Sequence, residues 1–280
     1  MKDRRLAPAM LEGFREYLEE EERSGATAKK YLRDVRQFAR YADGRRMEKA
    51  LVLEYKAALE ENYAITSANS MLAALNAFLR FAGWEDCCVK PFRVQKKAYC
   101  SVEKELTREE YRRLTETAAK RGNERLSLVL QTICATGIRV SELEHITLEA
   151  VHRGEAVVSC KGKTRRILLV TCLRKKLLQY AREHRITEGA IFVTRNGRPI
   201  DRSNIWREMK ALCRQAGVSP VKVFPHNLRH LFARTFYGLE KDIAKLADIL
   251  GHASIDTTRI YIMTTGAEHR RKLEKLRLVT

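Results

Sequence analysis

No window of the 280-residue chain approaches the roughly 18 consecutive apolar residues needed to cross a bilayer. The charged opening Met1-Lys2-Asp3-Arg4-Arg5 is not followed by the apolar core of a secretory signal. The expectation is a soluble, cytoplasmic protein that does not enter a membrane. There is no C-x-x-C pair, and the seven cysteines (Cys87, Cys88, Cys100, Cys134, Cys160, Cys172 and Cys213) are odd in number. Both facts count against a disulfide framework and a zinc knuckle, so the cysteines read as reduced, mostly buried thiols. Internal repeats and low-complexity tracts are also missing. Acidic residues are the scarce charge, 35 against 54 Lys and Arg, giving a net charge of +19 and a pI near 9.8. That surplus favours a polyanionic partner through counterion release, nucleic acid first and a membrane surface second.

The length accommodates two ordinary domains. Residues 1–95 read as helix. Leu11, Phe14, Tyr17 and Leu18, then Tyr31, Val35, Phe38 and Tyr41, recur at helical spacing. The pattern breaks at Ser24-Gly25-Ala26-Thr27, where Thr27 is placed to cap the second helix. Another helical pattern runs from Thr66 through Met71, Leu72, Leu75, Phe78 and Leu79 to Gly83, and the whole predicts a bundle of about four helices. The acidic run Glu19 to Glu22 reads as a solvated helix face. Periodicity lapses between Trp84 and Glu103, around Pro91 and several basic residues, which places an interdomain linker at 96–104.

A second domain, 105–280, opens where Thr107 and Glu110 have capping-box spacing and Leu106 can staple against the first turn. Helices are expected near Tyr111 to Lys120 and Leu126 to Ala135. Two β-rich runs follow, Ala156 to Cys160 and Arg166 to Val170, with Lys161-Gly162-Lys163-Thr164 between them as a hairpin connection. Helices resume at Thr171 to His184 and, behind a cap at Ser203, at Asn204 to Gln215. The chain closes on a basic amphipathic segment, Arg270 to Leu278. The fold class is mainly α (α+β): a helical bundle, then a mixed, mostly helical domain with one small β-hairpin.

Near the C-terminus, 36 residues carry His226, Arg229, His252 and finally Tyr261. Phosphodiester cleavage without a metal needs a nucleophile, positive charge around the non-bridging oxygens and a proton for the leaving oxygen. A phenol, with an ordinary pKa near 10, must be activated by cations or a base. Guanidinium suits the charge role because it stays ionised and holds two phosphate oxygens in a planar fork. His226 and Arg229, three apart, share a face of a helix that Pro225 would begin, with Leu228, Leu231, Phe232, Thr235 and Phe236 on an inward arc. Gly251 reads as the stop of a helix from Asp242, leaving His252 on a turn, and Tyr261 ends a short helix opened by Ser254. His226 and His230 have the spacing of a helical zinc pair, but His226-Asn227-Leu228-Arg229-His230 lacks the glutamate of H-E-x-x-H, so no metal site is expected.

These segments, with Ala135-Thr136-Gly137-Ile138-Arg139-Val140-Ser141-Glu142-Leu143 upstream, closely resemble the tyrosine recombinases, or phage integrase family. On that resemblance Arg139 corresponds to the family's first catalytic arginine, His226 and Arg229 to its H-x-x-R, His252 to its Leu-Gly-His histidine and Tyr261 to its nucleophile. The family's catalytic lysine lies in a β-hairpin, where Lys161 is the better match and Lys163 the competitor. Thr27, Tyr31 and Phe38 look like part of the family's helical core-DNA-binding domain. The expectation is that no additional arm-binding domain precedes it, which makes the chain similar to the compact, Xer-like members.

The resemblance implies attack of Tyr261 on a DNA phosphodiester, a 3′-phosphotyrosine intermediate and strand exchange onto a partner duplex, without ATP, metal or other cofactor. Arg139 and Arg229 would stabilise the transition state, Lys161 would protonate the leaving 5′ oxygen, and His226 and His252 would assist proton transfer. It further implies double-stranded DNA with paired core half-sites, four protomers on two duplexes, docking of the C-terminal segment on a neighbour, and either integration and excision of a mobile element or Xer-type resolution. Need for a second recombinase subunit or accessory factor stays open. Two alternatives stand beside this reading: a non-catalytic DNA-binding regulator on the same fold, and type IB topoisomerase-like relaxation.

Overall fold

The computed structural model describes residues 4–94, 105–160, 163–194, 196–263, 270–271 and 274–275, the side chains at 160 and 163 excepted. The expected linker at 96–104, the Lys161 position, the Lys163 side chain and most of the closing basic segment lie outside the described residues. The chain divides into two compact units, Met1–Lys96 and Lys97–Thr280.

The first unit is a bundle of α1 (Pro8–Glu20), α2 (Gly25–Ala42), α3 (Lys49–Asn62) and α4 (Ile65–Phe81), followed by a 3-10 turn at Glu85–Cys87. Its core gathers the apolar residues that set the periodicity: Phe14, Val35, Phe38 and Phe78 are fully buried, and Phe14 meets Phe78 edge-on with ring centroids 5.3 Å apart. The cap of α2 differs from expectation. Ser24, not Thr27, holds the N-cap, and its hydroxyl accepts from the Thr27 amide; the helix starts at Gly25 because Ser24 offers an acceptor three residues ahead of an otherwise orphaned N–H.

After the 3-10 turn the chain lies between α3 and α4, held on both sides. Asn76 bonds both backbone groups of Val89 (2.7 and 3.0 Å) and Asn69 bonds both of Phe92 (2.9 and 2.7 Å). From α3, Lys49 donates to the Cys88 carbonyl and Lys56 to that of Lys90 at 2.8 Å. Each pair is seven residues apart, two helical turns, so each helix presents one ladder to an extended strap.

In the second unit the capping box forms as expected: Thr107 accepts from the Glu110 amide and Glu110 accepts from the Thr107 amide, opening α5 (Arg108–Lys120) above the fully buried Leu106. Next come α6 (Glu124–Thr136), a 3-10 turn (Val140–His145), α7 (Leu148–Arg153), β1 (Glu155–Cys160), β2 (Lys163–Leu168), α8 (Thr171–Glu183), α9 (Arg202–Ala216), α10 (Pro225–Glu240), α11 (Ile243–Leu250) and α12 (Ile255–Ile262). The second strand begins three residues earlier than expected, and Val170 caps α8 instead of extending the strand. Antiparallel pairing runs from Glu155 opposite Leu168 to Cys160 opposite Lys163. Ala156, Val158 and Ile167 are buried, and the same period-2 alternation turns Arg165 inward and leaves Arg166 exposed. The cap of α9 is Asp201, not Ser203: its carboxylate accepts from the Asn204 amide at 2.8 Å.

α10 packs on both α6 and α12, and α11 packs on α12 and β2. The ends of α6, α11 and α12 thus meet one face of α10. The described cysteines are free thiols, but only Cys87 and Cys213 are buried; Cys172, in the first turn of α8, is exposed. No helix among the described residues is long and apolar enough to cross a membrane.

Candidate active site

Pro225 starts α10 as expected, with its fixed φ and missing N–H placed in the first turn. The inward arc is wider than the pattern suggested, since Asn227 and Arg229 go into the interior with Leu228 and Leu231. Arg229 is only 1% exposed. A buried guanidinium must find acceptors, and it finds them at two helix ends. Its amino groups donate to the Gly137 carbonyl, where α6 stops (2.5 Å), and to the Leu250 carbonyl, where α11 stops (2.6 Å). Both helices end on a glycine in the left-handed region, Gly137 at φ +65° and Gly251 at φ +64°. Among the described residues, Arg229 Nε is buried without a hydrogen-bond partner.

One Arg229 amino group also meets His252 Nε2 at 3.0 Å, and His252 Nδ1 lies 2.9 Å from the buried Thr258 hydroxyl. A guanidinium only donates, so Nε2 must carry the lone pair, and a neutral ring then has its proton on Nδ1, donated to Thr258. Burial, followed by the charges of Arg229, Arg139 and Arg165, pushes His252 down to about 4.

Tyr261, at the end of α12, is 5% exposed, and its hydroxyl lies 3.0 Å from His226 Nε2. The Arg229 charge bears on the same hydroxyl. With the lone pair of a neutral imidazole on Nε2, the phenolic O–H donates to His226. Desolvation, then the charges of Arg229, Arg139 and Arg202, hold His226 below its ordinary range, although the residue keeps an exposed side. Burial and the Arg139 charge push Arg229 down to about 10, against a raising contribution from Tyr261.

Arg139 follows the turn at Gly137. Its side chain is 33% exposed, so it is the arginine here that a phosphate can reach directly. One amino group donates to Glu142 (2.8 Å) and another to the Gly251 carbonyl (3.3 Å). Glu142 is buried and also accepts from the Arg139 amide and, through both oxygens, from Arg165 on β2 (3.0 and 2.7 Å). Burial raises the Glu142 carboxyl, but the hydrogen bonds from Arg165 and Arg139 outweigh it and hold the group below its ordinary value. Three guanidiniums and one carboxylate therefore meet beside a phenol, an excess of positive charge suited to a phosphodiester and to the charge that builds during its cleavage.

Five of the six expected site residues come together here: Arg139, His226, Arg229, His252 and Tyr261. Lys161 lies outside the described residues. Sequence reading missed Glu142, Arg165, Thr258 and His230. Glu142 stands three residues after Arg139 and Thr258 three before Tyr261, spacings that could have drawn attention to both. His230, which the sequence offers only as the second member of a zinc-like pair, stacks its ring on Tyr261 at 4.1 Å.

Residues 104–268 match the model of the phage integrase family, and residues 11–86 match that of the phage integrase N-terminal SAM-like domain. A tyrosine recombinase XerA from Pyrococcus furiosus is 30% identical over 288 residues, covering 100% of this chain and 98% of that protein. The crystal structure of a XerA recombinase is 26% identical with a TM-score of 0.53, covering 97% of this chain and 99% of that one. A lambda integrase structure, a tetramer bound to a Holliday junction, has a TM-score of 0.72 at 18% identity and covers 90% of this chain and 76% of its own.

Proposed function

The chain belongs to the phage integrase family as a compact, Xer-like tyrosine recombinase, and on that premise we propose that Tyr261 is its nucleophile, set among Arg139, His226, Arg229 and His252. It is an enzyme of site-specific DNA breakage and rejoining. The observation that carries the proposal is the 3.0 Å contact of the Tyr261 hydroxyl with His226 Nε2, made beside the buried Arg229.

In the first step the phenolic oxygen forms a bond to the scissile phosphorus while its proton passes to His226 Nε2. Arg139, the more open guanidinium, takes the non-bridging oxygens. Arg229, committed to two carbonyls and His252, adds fixed charge and holds the histidine in place. The P–O bond to the 5′ oxygen breaks, and Lys161, with Lys163 as the alternative, protonates the departing oxygen. The product is a 3′-phosphotyrosine, which a 5′-hydroxyl of the partner strand attacks in reverse. Each step moves a proton and exchanges one phosphate ester for another, so the scheme calls for no cofactor.

The helical unit is assigned to core-DNA binding and the second unit to catalysis, joined at 96–104, with a C-terminal exchange segment. The substrate is duplex DNA with paired core half-sites, handled by a tetramer. Neither topoisomerase-like relaxation nor a non-catalytic regulator is favoured by a chain whose full-length relatives carry the recombinase name.

The test is Tyr261→Phe on a nicked suicide substrate. The variant should still shift the DNA in a gel but leave no denaturant-resistant adduct. An adduct with the Phe variant would overturn the nucleophile assignment.

A further inference from the structure

The site leaves His230 without a role, although it has the closest ring contact with Tyr261. Three imidazoles surround the phenol. His226 is 5.3 Å away at 60° and His252 is 5.1 Å away at 40°. His230 alone lies flat against it, centroids 4.1 Å apart and planes within 18°. It sits one turn after His226 on α10, and the two imidazoles meet edge-on at 5.1 Å. α10 thus offers Tyr261 two contacts of different kinds, a hydrogen bond at the hydroxyl and a flat surface at the ring.

These contacts restrain different motions. The hydroxyl oxygen lies on the axis about which the ring turns, so the His226 bond fixes the oxygen's position but restrains the ring plane only indirectly, through the C–O torsion. The oxygen's reactivity is not symmetric about that axis. One lone pair is conjugated with the ring and perpendicular to it, while the O–H bond and the other lone pair lie in the ring plane. Turning the plane therefore redirects both the proton and the lone pair available for in-line attack. α12 has only eight residues and ends just after Tyr261, at Ile262, so the helix supplies little restraint of its own.

We infer that His230 is a positioning residue for strand cleavage: its imidazole face sets the plane of the Tyr261 ring and so aims the phenolic oxygen. This rests on Tyr261 being the nucleophile. A neutral ring suits the task, because it stacks without adding a fourth positive charge beside three arginines, and burial with the nearby His226 and Arg229 pushes His230 down to about 4.

The test measures single-turnover cleavage of a suicide substrate and half-site affinity for His230→Ala, His230→Leu and His230→Phe, with Tyr261→Phe alongside. Loss of aim should slow cleavage by about 10- to 100-fold in His230→Ala, with the dissociation constant for DNA within about twofold. Leucine restores volume without a flat face and should stay slow; phenylalanine restores the stack and should recover to within about threefold of wild type. If leucine rescues as well as phenylalanine, if phenylalanine is as slow as alanine, or if alanine is as fast as wild type, the inference fails. An adduct in the Tyr261→Phe lane would instead sink the nucleophile reading beneath it.

Discussion

Gly137 is the residue at which fold and site can be perturbed together. It ends α6 at φ +65°, and a Cβ there would come within 2.5 Å of Phe232 Cδ1 and 2.9 Å of Leu250 Cδ2. Gly217 ends α9 at φ +59° with nothing within 4 Å of the same added atom. The two Gly→Ala variants share the backbone penalty and differ in the clash. Left-handed backbone costs a non-glycine residue about 1–2 kcal/mol, and forcing an extra methyl into a packed interior adds about 1–3 kcal/mol. Gly217→Ala should therefore lose roughly 1–2 kcal/mol and Gly137→Ala roughly 2–5 kcal/mol. Urea unfolding of the full chain, followed by far-UV circular dichroism, gives both values as midpoint shifts at constant slope. Gly137→Ala should also slow cleavage under conditions where it remains folded, because its carbonyl is an anchor for Arg229. A Gly137→Ala midpoint no lower than that of Gly217→Ala would show that the contact with Phe232 and Leu250 relaxes freely, and the reasoning would be wrong.

Three further outcomes are expected. Arg139→Ala and Arg229→Ala should each lose roughly 3–4 kcal/mol of transition-state stabilisation while changing DNA affinity far less, and EDTA should leave the wild-type rate unchanged; metal-dependent cleavage would count heavily against the mechanism. His252 is held near 4 when folded, below its ordinary 6.5. A depressed folded value gives stability that is full above the ordinary value and lost as pH falls toward the folded one, so urea stability should drop by about 1–2 kcal/mol between pH 7.5 and 5 on this account after allowance for partial exposure. His252→Asn should flatten that drop, and an equally steep variant would refute it. A 5′-bridging phosphorothiolate substrate, whose thiol leaves without protonation, should rescue Lys161→Ala; rescue of Lys163→Ala alone would move the acid to the second lysine.

Much of the site was legible in the order of residues. Gly137 before Arg139, Pro225 before His226, and Gly251 before His252 are local signals of where helices stop and start, and the site is assembled from those ends. What could not be read was tertiary approach. Arg165 matters because period-2 alternation turns it inward onto Glu142, and only the hairpin's register decides that. His230 matters because α12 brings a phenol across it. Arg229 was expected to share an accessible face with His226, yet it is buried, since carbonyls from two other helices satisfy it there. The caps at Ser24 and Asp201 were misplaced by two or three residues because neighbouring side chains offered equally plausible acceptors.

α12 carries two parts of the site on one short cylinder. Thr258 takes the His252 Nδ1 proton, and Tyr261, one turn on, presents the phenol. Any displacement of these eight residues withdraws the phenol and the partner of His252 Nδ1 together, while Arg229 still meets Nε2. On the proposed assignment of Tyr261, a substitution anywhere along α12 that shifts the helix would therefore cost the phenol its placement and His252 its partner in a single event.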